Sequence, residues 1–298
     1  MGDLLQFLAS YNYLAYLAAL NAILALSVYI MLMAGQLSLA SMGFMAIGAY
    51  TSALLMINGG MPFAVGLLGA AALAGLIALA IGKPILRLKG VYLAITTVGF
   101  SELIRFLALN WDYLGGAMGL NGIPQTTRTW HVFLYLAILI FLFHRLDRSR
   151  YGRALRAIGL DETAAKTMGI PTARYKTLAF AASAVMAALA GSFAAHYSFY
   201  ISPGEYNFSQ AVLVLIFAVF GGLGTHWGPV LGAIALTLLP EVFRFLQDWR
   251  PIIYGVSVLL VVIFFPGGLV GLFKLMIPGT RRKASPIAGG KDERHGTA

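Results

Sequence analysis

The sequence contains no cysteine, and only 11% of its 298 residues are charged. The first absence excludes disulfides, thiol catalysis and thiolate metal sites. Acidic residues are the scarcer charge, with 11 Asp and Glu against 21 Lys and Arg, a formal charge of +10. The middles of the apolar segments hold almost no Asp, Glu, Lys or Arg, the groups an ion-coupled pump or carrier would normally need as a relay, which counts against that class. No G-x-x-x-x-G-K-[ST] pattern occurs, so an ATP phosphate cradle of that type is absent. The five His are scattered: His131 and His144 near span ends, His196 and His226 alone, His295 in the tail. None pairs with another at ligand spacing on one helix face, and no metal site is expected. An intramembrane serine protease would have only Ser41 in "ASMG" and His226 in "GTHWG" to draw on. Both lie in glycine-rich packing patterns, which leaves an enzyme as the weakest reading.

What is present in quantity is oil. The chain is 59% hydrophobic with a mean hydropathy of +0.81, more apolar surface than a soluble domain can hide. The expected fold is an all-α polytopic membrane protein. Apolar segments fall at 12–33, 36–57, 62–82, 91–109, 130–146, 177–200, 208–227, 228–247 and 251–275, about nine spans, several interrupted by Gly or Pro. Basic residues group at Lys83, Arg87 and Lys89, at Arg145 through Lys176, and at Lys274 through Arg294. The positive-inside rule puts these groups in the cytoplasm, with the N-terminus outside and the C-terminus inside. The membrane explains the positive charge without nucleic acid. The start, "MGDLLQFLASYNYL", lacks a basic leader and a small-residue cleavage site, so no cleavable signal is expected. Residues 1–278 read as one transmembrane domain, and 279–298 as a disordered, basic cytoplasmic tail. Residues 110–129 are glycine-rich and too polar to span.

Within the cytoplasmic loop 147–176, "DETAAKTMGIP" (161–171) carries the start and stop signals of a short helix. Asp161 suits the N-cap and Glu162 the negatively charged first turn. Gly169 suits the residue after the helix, and Pro171 prevents its resumption. Two turns are marginal alone in water. Ala164, Ala165 and Met168 are read as one small-residue face offered to a partner. The plainer reading is an ordinary loop with incidental helicity. Asp147, Arg148, Arg150, Arg153 and Arg156 read as a solvated basic run that sets topology and touches lipid or a partner.

Small polar residues take the place of charges inside the spans. "GQLSLASMG" offers Gln36, Ser38, Ser41 and Gly43, and "ITTVGFS" offers Thr96, Thr97 and Gly99. Such residues permit close packing or broken helices whose backbone lines a cavity, a weakly polar path for a small solute. Packing alone is the competing account for each. "ELIRFLALNW" (102–111) and "EVFRFLQDW" (241–249) repeat one pattern at two span ends. Glu102 with Arg105, and Glu241 with Arg244, stand at i, i+3 and can pair, while the Trp residues anchor at the interface. With the two glycine-rich span starts, this suggests an internal duplication with parallel halves.

Seven stretches, in order, resemble the permease subunits of bacterial ABC importers for branched-chain amino acids, of the leucine/isoleucine/valine type and the M-like member of the H/M pair. They are "GQLSLASMGFMAIGAYT" (35–51), "LKGVYLAITTVGFSELIRFLALNW" (88–111), "GLNGIP" (119–124), "SRYGRALRAIGLDETAAKTMGI" (149–170), "VFGGLGTHWGPVLGA" (219–233), "LPEVFRFL" (239–246) and "FPGGLVGLF" (265–273). Two departures, "GLDE" before the short helix and "LGG" after Trp111, bear on substrate identity rather than on membership. The resemblance implies that 161–169 is a coupling helix docked in a cleft of an ATPase subunit. It implies a bacterial inner-membrane complex with a second, H-type permease, two ATP-binding subunits and an external solute-binding protein. ATP and Mg would sit on the ATPase subunits, with no cofactor on this chain. Arg105 and Arg244, oriented by Glu102 and Glu241, would help receive the binding protein; snorkelling and helix-end pairing is the competing account. Relatives of the same scaffold that carry urea, amides or aromatic acids are the alternative, and an ion-coupled carrier or channel acting alone comes after them.

Overall fold

In the computed structural model the described residues are 2–242 together with Gly255, Leu259, Gly268 and Leu269. The chain is helical: α1 (Gly2–Met33), α2 (Ser41–Ile57), α3 (Phe63–Ile85), α4 (Val91–Asn110), α5 (Thr129–Arg148), α6 (Arg150–Leu160), α7 (Glu162–Thr167), α8 (Thr172–Ser198), α9 (Phe208–Gly221) and α10 (Trp227–Val242). Among the described residues five helices are long and apolar enough to cross a membrane, and α2, α9 and α10 are shorter apolar helices. These match eight of the expected spans in order. The ninth, at 251–275, falls almost wholly outside the described residues, as do Arg244, Trp249 and the tail at 279–298.

The helices run up and down with short connections, so two ends of the bundle can be told apart. One end gathers the α1–α2 junction, the close of α3, the helices α6 and α7, and the α9–α10 turn. The other gathers residues 111–128 and 199–207, where β1 (Leu120–Asn121) pairs antiparallel with β2 (Tyr200–Ile201) in the register Leu120↔Ile201. Helix α1 is buried through most of its apolar length, whereas α3, α4 and α5 turn Leu68, Leu76, Phe106 and Phe141 outward. A bundle whose outer surface is leucine and phenylalanine is the arrangement hydrocarbon favours.

Helices α2 and α8 cross in backbone contact. A Cβ on Gly48 would collide with the Ala188 carbonyl, and one on Gly191 with that of Met45. Ser192, fully buried, donates from its hydroxyl to Gly48 O and Ala188 O, each at 3.0 Å. Lipid tails compete with apolar side chains as well as protein does, so close backbone approach is what holds such helices together.

The second expected span, 36–57, is not one helix. Gly35 takes φ +67, residues 36–39 are in neither helix nor strand, and α2 begins only at Ser41. Buried backbone groups outside a helix must find partners off their own segment. Helix α4 supplies them: Leu39 N–H donates to Thr97 Oγ1 at 2.9 Å, Ser101 Oγ to Leu39 O at 3.0 Å, and Gly43 N–H to Ser101 Oγ at 3.2 Å. Thr97→Val should therefore leave a buried N–H unpaired and cost about 1–2 kcal/mol. Thermal unfolding in detergent checks this, with Thr97→Ser expected to retain most of the stability.

Candidate functional site

The basic run after α5 is not merely solvated. Ser149 Oγ caps α6 by accepting from Gly152 N–H at 3.0 Å, and α6 buries Gly152, Ala154, Leu155 and Ile158 on one side. Arg156 pairs with Asp147 at 2.8 Å, and the other Asp147 oxygen lies 2.7 Å from Nδ1 of His226 in the α9–α10 turn. At its far end α6 meets the α1–α2 break: Gly159 lies against the Met33 carbonyl, and a Cβ on Gly35 would sit 3.1 Å from Gly159 Cα. Helix α6 is thus fixed at both ends to the membrane helices.

Asp161 closes α6 and opens α7. Its carboxylate accepts from the N–H groups of Thr163 at 2.8 Å and Ala164 at 3.0 Å. At the other end Gly169 takes φ +80, Gly169 N–H donates to Lys166 O at 3.0 Å, and Ile170 N–H donates to Ala165 O at 3.0 Å. This is the complete two-bond Schellman closure, and it confirms both end signals of the short helix.

Glu162 turns inward and becomes a hub. It accepts from Lys176 Nζ at 2.6 Å and Thr172 Oγ1 at 3.3 Å, and pairs with Lys166 at 3.0 Å and Lys89 at 3.7 Å. The Lys176 side chain is only 3% exposed, so Glu162 is the counter-charge of a buried ammonium near the start of α8. Burial opposes ionisation of Glu162, but the hydrogen bonds and charges of Lys176 and Lys166 outweigh it and hold the carboxyl at about 2. With the folded pKa below the ordinary 4.5, the stabilisation is complete above about pH 5 and lost as pH falls through about 2. Discounted for solvent screening, it is about 1–2 kcal/mol. Stability measured between pH 7 and 3 should fall less steeply for Glu162→Gln than for the unaltered protein.

The exposed face of α7 is narrower than the sequence suggests. Ala165 is buried against the chain itself, on the same side as Glu162, whereas Ala164 is exposed and Met168 is 81% exposed. Ala164, Ala165 and Met168 do not share one accessible face: the i, i+3 pair Glu162 and Ala165 packs inward, and the i, i+4 pair Ala164 and Met168 points away.

The seven small polar candidates divide in the same manner. Gln36, Ser38, Ser41, Gly43 and Thr97 meet where the α1–α2 break crosses α4, all of the polar ones buried. A Cβ on Gly43 would come within 2.9 Å of Ser101 Cα, so Gly43 serves the crossing. Gln36 Oε1 and Ser41 Oγ are buried there with no hydrogen-bond partner among the described residues. Thr96 and Gly99 are not part of this group. Thr96 bonds back to Tyr92 O at 2.9 Å, and a Cβ on Gly99 would meet nothing within 4 Å, because both lie on the outward side of α4.

At the opposite end Arg105 Nε donates to Glu102 Oε2 at 2.6 Å and its guanidinium lies 4.8 Å from the Phe106 ring centre. The other Glu102 oxygen accepts from Phe208 N–H at 3.0 Å, the first residue of α9. Glu102 therefore ties α4 to the start of α9 as well as orienting Arg105. Glu241 closes α10 at this same end; its expected partner Arg244 lies outside the described residues. The links that composition and spacing do not reveal are Glu162 to Lys176, Asp147 to His226 and Thr97 to Leu39.

Residues 10–265 match the family described as branched-chain amino acid transport system, permease component. The high-affinity branched-chain amino acid permease protein LivM of Escherichia coli K12 is 34% identical over 293 residues, covering 86% of this chain and 69% of its own length. LivM of Salmonella typhimurium is 34% identical over 290 residues, covering 84% of this chain and 66% of its own. The high-affinity branched-chain amino acid transport system permease protein LivH of E. coli K12 is 30% identical over 138 residues, 46% of this chain and 43% of its own. No solved structure matches the chain. Helical spans with outward apolar faces, a non-helical stretch leading into α2 and a capped helix at one end of the bundle accompany these matches, and the chain belongs to the permease-component family of branched-chain amino acid transport systems.

Proposed function

We propose that this chain is the M-type permease subunit of an ATP-driven importer of branched-chain amino acids in a bacterial inner membrane. The observation that carries the reading is the construction of α7: capped at both ends, pinned to α8 through Glu162 and Lys176, and leaving Ala164 and Met168 outward. A rod so held transmits displacement instead of bending. Its route inward is short: α6 carries the motion through Gly159 to Gly35 and the non-helical segment 36–39, and Thr97 and Ser101 carry it to α4. The unpartnered Gln36 Oε1 and Ser41 Oγ lie at the point that this route would move.

On this reading the end bearing α7 and the basic groups faces the cytoplasm, with the N-terminus outside. ATP and Mg belong to two partner ATPase subunits, and this chain binds no cofactor. A second, H-type permease completes the path, and Arg105 stands at the outer end where an external binding protein would dock. Purification of the chain from its native membrane tests the assignment. The complex should contain one related permease and two ATPase chains, and Met168→Glu should release the ATPase chains while leaving the permease pair together. A chain that purifies alone from gentle detergent, with leucine transport intact in its vesicles, rejects the subunit reading.

A further inference from the structure

A cavity of about 640 Å³ lies between the close of α3, the α3–α4 turn, α7 and the first turns of α8, within the span of ordinary ligand sites, about 300–1,000 Å³. Six cationic side chains line it (Lys83, Arg87, Lys89, Lys166, Arg174 and Lys176), and Glu162 is the one carboxylate among them. Glu162 is shared by Lys176, Lys166 and Lys89. Lys83, Arg87 and Arg174 have no acidic partner among the described residues. Lys83, Arg87 and Arg174 are exposed, and so many cations around one concavity focus a positive potential that concentrates anions there.

The same cavity has an apolar wall. Leu86 and Leu178 line it, and Leu178 is 54% exposed on the outer side of α8. It stands where α3 and α8, both long enough to span, reach one end of the bundle, so its mouth opens at the level of lipid headgroups. Cations above and leucine below fit a molecule that is anionic at one end and hydrocarbon at the other. Basic pockets between membrane helices hold such headgroups.

We propose that this cavity binds an anionic phospholipid, its phosphate held by Lys83, Arg87 and Arg174 and its acyl chains running down past Leu178. The lipid then lies beside Glu162 and the pinned start of α7, so leaflet composition bears on how firmly that helix is held. The inference goes beyond the permease reading and does not depend on which solute is carried.

Native mass spectrometry of the purified full chain tests it, by titration with dioleoyl phosphatidylglycerol, dioleoyl phosphatidylethanolamine and glycerol 3-phosphate. Phosphatidylglycerol should bind well ahead of the zwitterionic lipid, and the headgroup alone should compete poorly. At roughly fivefold per cation, the triple substitution Lys83→Gln, Arg87→Gln, Arg174→Gln should weaken it about a hundredfold. The charge-conserving triple Lys83→Arg, Arg87→Lys, Arg174→Lys should keep it, which separates loss of charge from loss of fold. Equal binding of the two lipids, or undiminished phosphatidylglycerol binding by the Gln triple, overturns the proposal. Displacement by glycerol 3-phosphate at matching concentration replaces it with a free-anion site. Loss of co-purifying ATPase chains from the Gln triple with lipid binding intact replaces it with a protein contact.

Discussion

Glu162→Ala is expected to destabilise the protein by about 3 kcal/mol, because it strands the Lys176 ammonium in a nearly closed environment. The Coulomb attraction lost is the smaller part; the uncompensated buried charge is the larger. Removing both charges should be far milder, since Glu162→Ala with Lys176→Met leaves nothing unpaired. A double-mutant cycle read by thermal unfolding should show the second substitution rescuing the first. Transport should not follow stability in that rescue. The double variant folds, but the tie between α7 and α8 is gone, so ATP-driven uptake stays low. Equal recovery of folding and uptake would make Glu162 a stabilising residue only.

The second large effect belongs to the α2–α8 crossing. Gly191→Val should cost about 3 kcal/mol or more, because its Cβ would occupy the place of the Met45 carbonyl and neither backbone can retreat. Gly48→Val meets the Ala188 carbonyl in the same crossing and should be equally damaging. Gly99→Ala, with open space around its Cβ position, is the control and should be neutral or slightly stabilising. Monodispersity in detergent and the thermal midpoint read all three. A Gly191 variant as stable as the unaltered protein would mean that the two helices are not in backbone contact.

The spans, the polar loop at 110–129 and both caps of α7 were legible because each is written within a few neighbouring residues. Period and hydropathy announce a helix, and Asp161 and Gly169 announce its ends. Relations across the chain were not. Lys176 lies 14 residues beyond Glu162 around a tight turn, and His226 lies 79 residues beyond Asp147. Helix α6 was hidden for a different reason: Arg150, Arg153 and Arg156 recur at every third position and read as a charged run, although Ala154, Leu155 and Ile158 already mark one buried side. The sequence does not fix the exposed face of α7, because Ala165 can serve an inner or an outer surface equally well. Only its position beside the inward Glu162 decides. The break at 35–40 was legible as glycine and small hydroxyls, but its hydrogen-bond acceptor, Thr97, sits 58 residues away from Leu39.

Uptake of leucine into proteoliposomes tests the central claim most directly. Vesicles carrying the whole complex, with binding protein added on one side and Mg-ATP on the side of α7, should accumulate leucine. Gly159→Val, which wedges α6 away from the α1–α2 break, should abolish accumulation while ATP hydrolysis continues. Vesicles carrying this chain alone, driven by a proton or sodium gradient, should accumulate none. Concentrative uptake in those last vesicles would contradict the account.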